Sequence, residues 1–205
     1  MIQEVSLKDG ISLYYLNELP SLEYLENSVI LHPEELLTYA KIRVRRRRTE
    51  WLATRYILSK IRPSNRIVYL PSGKPQLAHG SEQLAITHTD GFVAIAIGQG
   101  KYLGIDTERH DRKFAAVAPK YISETELALR PHNFPDEIFE GQVWRAKEAV
   151  YKAIGQTGVD FKVEMQVQEL RNHSLELRTN IDTHPATWEV FHTPIGAYIL
   201  SWTSQ

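Results

Sequence analysis

The chain has 205 residues, enough to bury one large core or two smaller ones, and its formal net charge of -1 exerts no overall pull toward nucleic acid or a membrane surface. It contains no cysteine, which excludes a disulfide framework, a zinc–thiolate centre and a cysteine nucleophile. No apolar run approaches the roughly 18 residues that span a bilayer, and no basic start leads into an apolar core, so the expectation is a soluble cytoplasmic protein without membrane partners.

The first strong pattern is HPEELLTYAKIRVRRRRTEWLATRYILSKIRP, His32 to Pro63. Pro33 suits a first helical position, Glu34 and Glu35 suit the positive end of a helix dipole, and Pro63 closes the run. It is long enough for two consecutive helices. The apolar stripe runs through Leu37, Ala40, Val44, Trp51 and Leu58, and the same spacing places Arg48 and Arg55 on it, pointing inward. Beyond Pro63 the period drops to two. RIVYL, LAITHT, FVAIAI and YLGID read as strands, with PSGKP a turn and Asp90-Gly91 a hairpin signal, giving an antiparallel meander that stops at an acid pair.

Helical signals then return. Ser123 and Glu126 form a capping box, and DEIFEGQVWRAKEAVYKAIG carries apolar Val143, Ala146, Val150 and Ala153 with Gly155 as its stop. Alternating strands follow in VEMQVQEL, SLELRT, TWEVF and GAYILSW. Helix then sheet, twice over, predicts an α+β protein of two halves, residues 1–100 and 101–205.

The candidate chemistry lies at the junction. In a strand, residues two apart point to one side, so Asp106 and Glu108 aim two carboxylates at one spot. On the later helix, Lys147, Glu148, Tyr151 and Lys152 gather on the face opposite the apolar stripe. Glu148 and Lys152 read equally as an ordinary i,i+4 surface pair worth about 0.2 to 0.5 kcal/mol. Taken together, however, three acids suit a hard cation such as Mg²⁺, and Lys152, Lys74 and the inward arginines suit phosphate oxygens. A rival reading makes Arg43 and Arg45 to Arg48 the surface of a non-catalytic nucleic-acid-binding module.

The segments GIDTE, Gly104 to Glu108, and WRAKEAVYK, Trp144 to Lys152, resemble the two-part signature of the 4'-phosphopantetheinyl transferases. SGKPQL at Ser72 to Leu77 and ITHTDG at Ile86 to Gly91 are similar to two further segments of that family, and the arginine-rich helix also fits. Thr87 and Thr89 stand where serines are usual, and Arg145 where a small hydroxyl residue is common. The chain length is that of the larger single-chain type similar to the surfactin-synthetase activator.

The resemblance implies two similar α+β halves in a pseudo-twofold arrangement, acting as a monomer. It implies transfer of the 4'-phosphopantetheine arm of coenzyme A to a serine of an apo acyl or peptidyl carrier protein, with no role for nucleic acid. Asp106, Glu108 and Glu148 would hold Mg²⁺, while Glu148 and Lys152 would be catalytic. Arg48 or Arg55, Lys74, His88, Lys147 and Lys152 would contact coenzyme A.

Overall fold

The computed structural model describes residues 1–181 and 184–205. The chain forms two compact units, one of Met1–Leu70 with Pro75–Gln99, the other of Pro71–Lys74 with Gly100–Gln205. Together they make a mixed α/β protein. Among the described residues, no helix is long and apolar enough to cross a membrane.

In the first unit, β1 (Gln3–Ser6), β2 (Ser12–Leu16), β5 (Gln83–Thr89) and β6 (Phe92–Gly98) form a four-stranded antiparallel sheet of order β1-β2-β6-β5. Gly91, at φ 74°, makes the tight β5–β6 turn that Asp90-Gly91 predicts. Helix α1 (Leu22–Ser28) is capped by Ser21, whose hydroxyl accepts from the Tyr24 amide. Strands β3 (Ile67–Tyr69) and β4 (Pro75–Leu77) pair separately.

The arginine-rich run divides into α2 (Pro33–Lys41) and α3 (Arg45–Ile61), interrupted at residues 42–44. The break resets the helical phase, so one stripe cannot run through both. Leu37 and Val44, expected in the core, are 69% and 60% exposed, and α2 buries Glu35 and Tyr39 instead. On α3 the expected stripe holds at Leu58 and at the inward Arg55, Trp51 is half-buried, and the core is filled mainly by Leu52, Ala53 and Ile57, which the stripe did not include.

The second unit is built on a five-stranded antiparallel sheet of order β7-β11-β10-β9-β8: β7 (Leu103–Arg109), β8 (Met165–Leu170), β9 (Ser174–Ile181), β10 (His184–Ile195) and β11 (Tyr198–Ser204). Of the meander predicted from RIVYL to YLGID only the β5–β6 hairpin forms, because RIVYL, as β3, pairs with β4 in a separate two-stranded sheet. Strand β7 pairs instead with β11, from the far end of the chain. Ser123 and Glu126 make the predicted capping box at the start of α4 (Glu124–Leu127).

Helix α5 (Asp136–Ile154) ends at Gly155, whose φ of 69° is the left-handed C-cap conformation. Val143, Ala146, Val150 and Ala153 are fully buried on its sheet-facing side.

Candidate functional site

Strand β7 and helix α5 approach unusually closely, and Gly104 is the reason. A Cβ there would lie 1.9 Å from the Ala149 carbonyl oxygen and 2.7 Å from the Ala153 nitrogen. Because side chains alternate along a strand, Asp106 and Glu108 share the α5-facing side with Gly104. They are therefore carried along the helix toward Glu148 and Lys152.

Lys152 Nζ donates to Asp106 Oδ1 at 2.7 Å, and Arg112 Nη1 donates to Glu108 Oε1. Asp106 Oδ2 is buried without a hydrogen-bond partner. Burial pushes the Glu148 carboxyl up to about 7, against the pull of Lys152, with Asp106 and Glu108 reinforcing the rise. Burial draws Lys152 down, but Asp106 and Glu148 together hold it above the ordinary lysine value. Asp106, Glu108, Glu148 and Lys152 thus belong to one electrostatic cluster.

Among the described residues, no three His, Cys, Asp or Glu side chains are arranged so as to hold a metal ion unaided. Asp106 is drawn to Lys152 and Glu108 to Arg112, which draws oxygens from a common centre. The donor set still fits a hard divalent cation in kind. It consists of carboxylate oxygens, one of them buried and unpartnered, beside a carboxyl raised chiefly by burial and further by its acidic neighbours.

Beside Glu148 opens a cleft of about 710 Å³ walled by Tyr121, Trp144, Tyr151, Val159 and Phe161, with Lys120 and Asp160 among its polar lining groups. Trp144 packs edge-on to Tyr121 with centroids 5.0 Å apart, so its ring shapes the wall.

Lys147 corrects the expectation of a polar-face coenzyme A contact. It is fully buried, donating to the carbonyls of Tyr121 (2.6 Å) and Phe161 (2.8 Å) and pairing with Glu126 Oε1 at 2.7 Å. All three ammonium protons are engaged, which is how a buried charge is tolerated. Lys74 crosses the end of α5, donating from Nζ to the Ala153 carbonyl at 2.5 Å, and burial lowers its pKa. It thereby satisfies a carbonyl in the last turn of the helix.

In the first unit, Arg55 is 5% exposed, stacks 3.5 Å from the Trp51 ring centroid and pairs with Glu35 at 3.2 Å. Arg48 remains about one third exposed, lies over Tyr39 and pairs with Glu26; its Nε has no hydrogen-bond partner. His88 bonds with Arg47 Nη1 through Nε2 at 2.7 Å, and both face the buried Glu50 carboxylate. Arg46, Arg47 and Arg48 each have a carboxylate partner, so the nucleic-acid reading gains no support from the basic run.

Arg112, in the turn after β7, and Glu50, which anchors Arg46, Arg47 and His88, join these groups without any motif in the sequence to mark them. Arg145 stands out in the sequence only as a departure from a pattern. The structure buries Arg145 to 2% exposure with Nε unpartnered. Burial draws its guanidinium down to about 10, with Asp106 and Glu108 opposing that shift.

An acid-bearing edge strand closed against a helix carrying a third acid and a lysine defines a charged site in a mixed α/β domain. Residues 102–203 match the family model of the 4'-phosphopantetheinyl transferase superfamily and carry a domain of that superfamily. No curated protein matches the chain.

Proposed function

We propose that this protein transfers the 4'-phosphopantetheine arm of coenzyme A to a serine hydroxyl of an apo acyl or peptidyl carrier protein, as a single-chain enzyme of the larger type. The observation carrying this reading is the Asp106–Lys152 contact across β7 and α5, within the matched domain and beside the raised carboxyl of Glu148.

Asp106, Glu108 and Glu148 would hold Mg²⁺, which when bound withdraws charge from the pyrophosphate oxygens. The serine oxygen forms a new bond to the β-phosphorus as the anhydride bond breaks, and adenosine 3',5'-bisphosphate leaves with the bonding electrons. Glu148 takes the serine proton, directly or through a water, as the carboxylate that α5 carries beside the reacting group. Lys152 balances charge on the transferred phosphoryl group from its post against Asp106. The aromatic walls of the cleft beside Glu148 suit the uncharged pantetheine arm.

For the 3'-phosphate and adenosine end we assign Lys74, His88 and a helix arginine. Arg48 is about one third exposed, whereas Arg55 is buried and its Nε and Nη groups are engaged by Glu35, Trp51, Thr54 and Tyr69. The test is release of adenosine 3',5'-bisphosphate from coenzyme A, with Mg²⁺ and an apo carrier protein present. The reading predicts release that needs both the carrier serine and the metal. Coenzyme A left intact with a panel of fatty-acid, polyketide and peptide carriers would overturn it.

A further inference from the structure

We propose that Arg145 is a built-in counter-cation of the acid cluster, a positioning residue that keeps divalent-cation affinity low until a pyrophosphate group arrives with the metal. The inference rests on the functional reading above and concerns how the same site fills.

Arg145 lies one turn before Glu148 on α5 and is 2% exposed. Long helical side chains lean toward the N-terminus, and the space this one needs is provided by Gly141. A Cβ on Gly141 would lie 2.8 Å from Arg145 Nη1 and 3.1 Å from the Phe114 ring. On the sheet, His192 pairs in register with Ser201, and Ser201 with Asp106, so their three side chains share the face that Gly104 turns to α5. His192 Nδ1 lies 2.7 Å from Ser201 Oγ. Arg145 Nε, His192 Nε2 and Asp106 Oδ2 are all buried without hydrogen-bond partners.

A guanidinium does not give up its proton at working pH, so its charge is permanent. Burying it incompletely bonded is expensive, and an apolar residue of similar length would pack there more cheaply. Its effect on the cluster follows from charge. Asp106, Glu108 and Glu148 are opposed by Lys152, Arg112 and Arg145, so with every group ionised the cluster is neutral. A lone dication adds two uncompensated charges in a poorly screened place, whereas a dication entering with pyrophosphate does not. Arg145 therefore disfavours the bare metal and favours the metal–pyrophosphate pair.

The experiment measures Mn²⁺ binding to metal-free protein by electron paramagnetic resonance, with and without inorganic pyrophosphate, corrected for ion held by free pyrophosphate. Wild type is expected to bind Mn²⁺ at least about tenfold more tightly when pyrophosphate is present. Arg145→Met should bind Mn²⁺ alone about tenfold more tightly than wild type, and Arg145→Lys, which keeps the charge, should stay near wild type. Unchanged Mn²⁺ affinity in a cooperatively melting Arg145→Met protein overturns the proposal. So does wild type binding Mn²⁺ as tightly alone as with pyrophosphate, a result that stands even where the variant does not fold. Transfer by wild type with either overturning result leaves the enzyme reading intact; the predicted Mn²⁺ pattern without transfer supports Arg145 and sinks that reading.

Discussion

Lys152 Nζ sits 2.7 Å from Asp106 Oδ1, tying the face of α5 to the edge strand β7 across 46 positions of sequence. One ion pair holds the two parts of the site in register, and Gly104 permits the approach that makes it possible.

Gly104→Ala should therefore disrupt the site by disrupting the fold. The added methyl would meet the Ala149 carbonyl at 1.9 Å, and backbone cannot swing aside as a side chain can. The expected loss is about 3 kcal/mol or more in urea unfolding. A wild-type midpoint in this variant would show that β7 and α5 are farther apart than described.

Glu148→Gln should lower transfer by about 10²- to 10³-fold while leaving the protein folded, since the amide keeps the shape but cannot take a proton. Single-turnover transfer and circular dichroism on the same sample check both halves of that statement.

The same residue gives a pH signature. Burial chiefly raises the Glu148 carboxyl from an ordinary 4.5 to about 7. Between those values the folded protein binds more protons at this group than the unfolded chain does, so stability falls as pH rises through the window. In chelator-treated protein, wild type should lose melting temperature from pH 5 to 7 relative to Glu148→Gln. Parallel melting curves would contradict the raised carboxyl.

Lys147→Met should destabilise the protein by about 3 to 5 kcal/mol, because it removes the cationic partner of the buried Glu126 side chain. If Lys147 contacted coenzyme A, the folded fraction would instead show a raised KM. Denaturant unfolding together with steady-state kinetics separates the two outcomes.

The legibility of the chain was greatest where structure is local. The Ser123–Glu126 capping box, the Gly155 stop and the Asp90-Gly91 turn are each written within a few neighbouring residues, and each forms. The partner of β7 is not local. YLGID carries the alternation of a strand but no mark that it pairs with β11 and not β6. Strands β1 and β2 flank Asp9-Gly10, the same hairpin dipeptide as Asp90-Gly91 and with positive φ at both residues, so this pair was legible locally and is missing from the predicted elements.

Side-chain placement followed the same division. Asp106 and Glu108 share a face because strand period alone requires it. Lys147 defeated the helical-face argument because its ammonium finds two carbonyls and Glu126 inside the core, a set of partners drawn from three separate segments. Arg145 was visible only as an unexpected residue type, since nothing in a linear sequence reveals the space that Gly141 leaves for it.

The most direct test of the central claim is the intact mass of an apo carrier protein after incubation with coenzyme A, Mg²⁺ and either wild-type protein or Asp106→Ala. The account predicts that wild type adds one phosphopantetheine arm to the carrier serine and that the variant, folded but lacking the carboxylate that meets Lys152, adds essentially none. Equal conversion by both proteins would contradict the role given to Asp106, and an unmodified carrier with wild type would contradict the function itself.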